Sequence, residues 1–149
     1  MQIRLLAPGD EAMLAQLARD DAAFDLAGRG SPQLPLDEAD AHEYLTDPAV
    51  LHWVALEEDG LVVGHLLCHV QRRRGGAAQE LLLYEIGVRD THRRRGVGTA
   101  LADAMARWMG YRGIRDVWVL GDNADAVAFY EACGFTRDDV QPTQLSRRV

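Results

Sequence analysis

The sequence predicts a mixed α/β (α+β) fold, a central sheet flanked by helices, in a single domain spanning residues 1–149. Three observations carry this. β-Prone runs at residues 52–57 and 61–70 meet across Glu58, Asp59 and Gly60, a strong hairpin signal. Apolar runs at 81–88 and 116–120 alternate with helical periodicity at 97–109 and 124–133, the pattern of strand–helix–strand crossovers. No internal repeat or second hydrophobic unit interrupts the chain, and this length suffices to bury about 70% of the surface an unfolded chain exposes.

Taken in order, residues 2–6 read as a short strand, and Pro8, Gly9 and Asp10 as a turn whose Asp10 side chain can cap a helix. Met13, Leu14 and Leu17 give that helix an apolar face up to about Ala18. Periodicity is lost between Asp20 and Leu36, where Gly28, Gly30, Pro32 and Pro35 predict a loop. Asp37 is placed to cap a second helix through Leu45, closed by Asp47 and Pro48. The hairpin follows, then a polar connection at 72–78. The run 81–88 is apolar on both faces and reads as a central strand. Val97, Leu101, Met105 and Trp108 recur at helical spacing, 116–120 reads as a buried strand, and 124–133 as a short helix ended by Gly134. From Phe135 onward a last strand or hairpin is expected.

The formal charge of −7 argues against general nucleic-acid binding, and no apolar run is long enough for a membrane span. The first residues are too short and polar for a secretory signal, so a cytoplasmic location is expected. Cys68 and Cys133 lack CxxC spacing and read as small core residues. All 16 basic residues are arginine. Their distribution is uneven: residues 1–59 hold 13 acids against 3 arginines, and residues 60–149 hold 10 acids against 13 arginines. An acidic half and a basic half in one domain suggest a site where a cation meets an anion, or a solvated surface of uneven charge.

The most informative stretch runs from Tyr84, Glu85, Ile86, Gly87 and Val88 to Arg93, Arg94, Arg95, Gly96, Val97, Gly98 and Thr99 at the opening of a helix. A helix N-terminus presents unpaired N–H groups, and glycines let a phosphate approach the backbone. With three arginines alongside, the segment reads as an anion site suited to a pyrophosphate. It is neither a Walker loop nor a Rossmann GxGxxG. A second constellation follows about 30 residues later: Asn123, Ala126, Tyr130, Gly134 and Phe135.

Together the two segments resemble the GNAT superfamily of N-acetyltransferases. Arg93-x-x-Gly96-x-Gly98 matches its Arg/Gln-x-x-Gly-x-Gly/Ala motif, and Ala126 to Phe135 its A-x-x-x-Y-x-x-x-G-F signature. The resemblance implies a mixed, mostly antiparallel sheet whose strands splay at the acetyl-CoA site. It implies that backbone N–H groups from Arg94 through Thr99, with the side chains of Arg93, Arg94 and Arg95, hold the CoA pyrophosphate. The pantetheine would pair along Ile86, Gly87 and Val88, with Asn123, Phe129 and Tyr130 also at the cofactor and the Val88 N–H facing the thioester oxygen. Tyr130 would protonate the departing thiolate, or pack on the pantetheine with its hydroxyl bonded to sulfur.

An ammonium acceptor must lose a proton before it can attack, so a base is wanted. Glu85 sits in an apolar strand where desolvation should raise its pKa; the alternative is a purely electrostatic role in binding the cation. Glu80 begins the same strand and is the competitor. His92 reads as a loop residue, and the histidines have no metal-ligand spacing, so no metal site is expected.

Acceptor choice in the resembled family comes from the first helices, their loop and the C-terminal strands. Here those regions are acidic, and the expected acceptor-binding residues are Asp21, Asp25, Glu80, Glu85 and Asp139. The acceptor is therefore expected to be a cationic small-molecule amine. The stretch 80–88 with the arginines after it is most similar to aminoglycoside 3-N-acetyltransferases of the GNAT type, which typically carry Tyr-Asp where this chain has Tyr84 and Glu85. A polyamine, an amino-acid derivative or a protein amine is the alternative acceptor, and a non-catalytic acyl-CoA-binding module the alternative from another class. Many members pair through their C-terminal strands, so a homodimer is an expectation of the resemblance.

Overall fold

A computed structural model describes residues 1–24, 33–140 and 142–149. The elements follow in the order β1 (Gln2–Leu5), α1 (Glu11–Arg19), α2 (Asp21–Phe24), α3 (Glu38–Thr46), β2 (Val50–Leu56), β3 (Val62–Arg72), β4 (Gln79–Val88), α4 (Val97–Arg112), β5 (Val117–Trp118) and α5 (Ala124–Ala132). The strands form one sheet in the order β1-β2-β3-β4-β5. The first three pairings are antiparallel, and β4 and β5 run parallel. The mixed, mostly antiparallel sheet flanked by helices is thus the one expected.

The sheet buries both faces. On one, Leu66, Cys68, Leu81 and Leu83 pack against Leu101 and Met105 of α4, with Tyr130 of α5 in the same cluster. A Cβ on Gly64 would lie 2.6 Å from Val97 Cγ1, so glycine at this position lets α4 settle onto β3. On the other face Val54 and Val62 pack against Leu17 of α1 and Phe24 of α2. Burial of large apolar side chains on both sides, each worth roughly 1.5–3 kcal/mol, drives the layering.

Four local expectations are corrected. Asp10 holds the position before α1, but its carboxylate accepts from the Ala7 N–H at 2.9 Å and from Arg4 Nη2 at 2.6 Å instead of capping the helix. Asp37 does cap α3, accepting from the Asp40 N–H at 2.8 Å. The stretch after Asp20 is not all loop: Asp21–Phe24 forms a helical turn, pinned by the buried Phe24. The strand expected at 116–120 shrinks to Val117–Trp118, with Trp118 exposed, because β5 touches β4 for only two residues before diverging. Beyond Phe135, which packs on Tyr130 with ring centroids 5.5 Å apart, the described residues form no strand. The polar run Thr136, Arg137, Asp138 and Asp139 offers no alternating apolar face to pair. Gly28, Gly30, Pro32 and Asp25 lie outside the described residues.

Candidate active site

Two irregularities in β4 build the site. The first is the divergence: β4 pairs with β5 only through Leu81↔Val117 and Leu82↔Trp118, so the rest of β4 up to Val88 presents an open edge. The Arg89 N–H bonds to the Val63 carbonyl of β3 at 2.9 Å. Strand alternation therefore turns the Val88 N–H the opposite way, toward the open edge. The Val88 carbonyl points there too, where it accepts from Arg93 Nε at 3.0 Å.

The second is a β-bulge. Leu67 lies opposite Glu85 and Cys68 opposite Leu83, so Tyr84 has no partner on β3. Leu81 and Leu83 face α4, and simple alternation would send Glu85 to the same side. The extra residue reverses the phase. Ile86 and Val88 pack toward α4, while Glu85 emerges on the face covered by α1–α3.

The open edge borders a cleft of about 1100 Å³. One wall is the start of α4. Arg94 holds φ 59° and Gly96 φ 80°, two left-handed residues flanking Arg95, which curl the backbone before the free N–H groups of the helix. No side chain caps α4 at Gly96. Arg93, anchored through Nε, keeps Nη2 buried with no hydrogen-bond partner among the described residues. Uncapped helix amides, a nest-like turn and an unsatisfied guanidinium nitrogen form a cradle for a multiply charged anion. Gly98 is buried against α5: a Cβ there would approach Phe129 Cε2 to 3.0 Å.

The far wall carries Asn123, Ala126, Phe129 and Tyr130 of α5. Asn123 caps that helix, accepting from the Ala126 N–H at 2.8 Å. Burial, reinforced by nearby groups that include Asp122 and Glu85, pushes the Tyr130 phenol up to about 12, so it remains protonated at neutral pH. Burial first, and the Asp21 carboxylate second, push the Glu85 carboxyl above its ordinary value. Its Oε1 lies 3.7 Å from Nε2 of the buried His65.

Of the residues singled out from sequence, Glu85, Ile86, Gly87, Val88, Arg93, Arg94, Gly96, Val97, Gly98, Thr99, Asn123, Phe129, Tyr130 and Asp21 line this one cleft. Arg95 is exposed outside it. Glu80 sits at the other end of β4, 3.6 Å from Arg73 Nε, and Asp139 is exposed in the C-terminal segment; neither lines the cleft. Sequence reasoning assigned no role to Asp122, Asp125, Phe24 or Tyr84, which also line it. The two aspartates were findable in principle, since they flank the capping Asn123 at the start of α5. Among the described residues, no helix is long and apolar enough to cross a membrane, and no cluster of three or more His, Cys, Asp or Glu could hold a metal.

The profile of the Acetyltransferase (GNAT) family matches residues 14–135, a span that includes the bulged strand, the cradle and α5. The chain belongs to the GNAT family of acetyltransferases. Its members use acetyl-CoA as acetyl donor, and the cradle has the chemistry that a pyrophosphate requires.

Among curated relatives, a mycothiol acetyltransferase of Amycolatopsis mediterranei (strain U-32) is 36% identical over 88 residues, covering 56% of this chain and 29% of that protein. The chain spans about three-tenths of the length of the curated relatives it matches. Among solved structures, an aminoglycoside acetyltransferase from an uncultured soil metagenomic sample, in complex with sisomicin, superposes with a TM-score of 0.82 at 24% identity, over 99% of this chain and 95% of that one. Aminoglycoside N-acetyltransferase AAC(6')-Iy in complex with CoA gives a TM-score of 0.72 at 18% identity, over 99% and 100% of the two chains. At these identities the structural likeness establishes the GNAT fold.

Proposed function

We propose that this acetyltransferase moves an acetyl group from acetyl-CoA to a primary amine of a cationic small molecule, with an aminoglycoside as the favoured acceptor. The observation that carries the reading is Glu85, a carboxylate of raised basicity delivered by the bulge into a cleft shared with Tyr130 and the anion cradle. The backbone N–H groups at the start of α4, with Arg93 and Arg94, hold the pyrophosphate; the open edge of β4 receives the pantetheine as an added strand. The Val88 N–H donates to the thioester oxygen as it gathers negative charge. Glu85 takes one proton from the ammonium, the freed amine attacks the carbonyl carbon, and the C–N bond forms as the C–S bond breaks. Tyr130 gives its proton to sulfur and regains one from the acylated nitrogen.

Asp21, Glu85, Asp122 and Asp125 give the cleft acidic groups that attract a polycation. The sequence similarity of 80–88 favours the 3-N amine of an aminoglycoside. The curated relatives favour a second reading, the acceptor amine of a mycothiol acetyltransferase. The test is CoA thiol release with sisomicin, other aminoglycosides, deacetylated mycothiol, polyamines and basic peptides, at low and high salt. Saturable, salt-sensitive turnover of an aminoglycoside supports the first reading, and NMR of the product locates the acetyl group. Turnover confined to deacetylated mycothiol establishes the second. Tight acetyl-CoA binding without turnover of any of these amines removes both.

A further inference from the structure

Behind Glu85 a line of polar side chains runs along the face of the sheet covered by α1–α3 and into that helical layer. Tyr44 Oη of α3 lies 2.9 Å from His52 Nδ1 of β2, His52 Nε2 lies 3.2 Å from His65 Nδ1 of β3, and His65 Nε2 lies 3.7 Å from Glu85 Oε1. Both histidines are buried, a position that needs a reason in a face otherwise filled by Val54, Val62 and Phe24. The backbone makes room for them. A Cβ on Gly87 would sit 2.6 Å from His65 Nε2, so glycine there opens the path from the ring to the carboxylate. Phe24 holds the same ring edge-on, with centroids 5.1 Å apart.

We propose that His65 is a positioning residue for Glu85, and that Tyr44 and His52 fix its tautomer so that an N–H always points at the carboxylate. This deepens the reading of Glu85 as the base and rests on that reading for its catalytic meaning. The logic is proton counting. Burial pushes His52 down to about 3 and His65 to about 4, so each ring carries one proton at neutral pH. An ionised Glu85 can only accept, which assigns the His65 proton to Nε2 and leaves Nδ1 bare. Nδ1 must then accept from His52 Nε2–H, and His52 Nδ1 must accept from the Tyr44 hydroxyl. Burial also pushes the Tyr44 phenol up, which keeps that hydroxyl protonated.

The gap at His65 exceeds hydrogen-bond length by a few tenths of an ångström, and the half-exposed Glu85 side chain can close it by rotation. Other titratable groups act on the same carboxylate and its chain. Besides burial, Asp21 of α2 raises Glu85, the Glu85 charge raises Tyr44 and, least of several groups, Tyr130, and His65 and then His69 of β3 lower His52. A His65 N–H closed onto the carboxylate favours its ionised form, against burial and Asp21, which both raise it.

The titrations use the whole chain without any acceptor. Ring ¹⁵N shifts at neutral pH should show both His52 and His65 neutral and protonated at Nε2, and a proton on His65 Nδ1 overturns the proposal. Carboxyl ¹³C titration of Glu85 should move up by about one pH unit in His65→Leu and by less, in the same direction, in Tyr44→Phe, which is nearly isosteric. His65→Gln, which can return an N–H, should restore most of the unmodified value. A Glu85 titration unmoved in both His65→Leu and Tyr44→Phe, whatever happens to stability, reduces the chain to core packing and overturns the proposal. Should Glu85 titrate under His65 control while Glu85→Gln turns over normally, the positioning stands and the base assignment falls.

Discussion

Gly98 lies so close to Phe129 that a Cβ at residue 98 would meet the ring at 3.0 Å. This contact joins the first turn of α4 to α5, and so ties the anion cradle to the helix that carries Tyr130. Gly98→Ala should push the ring aside by a few tenths of an ångström. The expected cost is about 1 kcal/mol of stability together with a rise of several-fold in the KM for acetyl-CoA. Urea denaturation and initial-rate kinetics would show both, and an unchanged KM would mean that the two helices are not coupled through this contact.

Arg94 pairs a charge with a backbone strain. At φ 59° a non-glycine residue costs on the order of 1 kcal/mol, so Arg94→Gly should leave stability equal or higher by up to about that amount. The same change removes a cation from the cleft wall and should weaken CoA binding. Calorimetric titration with CoA alongside thermal melting separates the two effects. A variant that is both less stable and equally tight would contradict both.

Glu85→Gln keeps the shape of the side chain and removes its basicity. Turnover should fall by about 10²–10⁴-fold, the range for a positioned general base, with acetyl-CoA binding retained. Because the folded carboxyl is raised above its ordinary value, kcat/KM for the acceptor should climb as pH rises through a range above that of an ordinary carboxyl. Glu85→Gln should abolish the limb, and its persistence there would assign it to another group.

Tyr130→Phe should lower kcat by about 10²-fold while leaving stability close to the original, since the ring keeps its contacts with Phe129 and Phe135. The readout is a loss in kcat larger than any change in acetyl-CoA KM. Equal losses in binding and turnover would instead assign the hydroxyl to holding the pantetheine.

The buried histidines should make the fold acid-sensitive. Free histidine titrates at 6.5, whereas His65 and His52 are pushed down to about 4 and about 3 by burial. Below pH 6.5 the unfolded chain takes up protons that the folded chain refuses, so stability is full above 6.5 and declines as pH falls. The slope should approach about 1.4 kcal/mol per pH unit for each ring. Glu85, shifted in the opposite direction, works against this as a single group. Urea midpoints between pH 5 and 7.5 test it, and a flat profile would show that both rings titrate in the folded chain as they do in the unfolded one.

Local signals made much of this fold legible. The turn at Glu58, Asp59 and Gly60, the spacing of Val97, Leu101 and Met105, and the Asp37 cap are each decided within a few residues. The cradle was legible for the same reason, since Gly96 and the helix it opens are adjacent in sequence. What depends on register was not. His52 and His65, 13 residues apart, meet only because Val54 pairs with His65 and His52 with Leu67, a diagonal contact that no periodicity announces. Glu80 and Glu85 look alike along the chain, but the divergence of β5 opens a cleft beside Glu85, whereas Glu80 stays beside Arg73. Trp118 and Leu120 read as a buried strand from composition, and lie exposed because that divergence begins at Trp118.

The unpaired Tyr84 gives the placement of Glu85 an unusual kind of inheritance. Glu85 addresses the helical layer because β4 carries two residues between Leu83 and Ile86 where β3 carries only Leu67, and the extra one is absorbed as a bulge whatever its side chain. Exchanging Tyr84 for another residue leaves the count, and hence the layout, intact. Losing the Tyr84 codon would remove the bulge and leave Leu83, Glu85 and Ile86 in simple alternation opposite Cys68, Leu67 and Leu66, with Glu85 on the face it already occupies. This point in the strand is thus tolerant both of spelling changes and of the loss of its one extra residue, so related sequences can diverge or carry a one-residue gap there without turning Glu85 to the other layer.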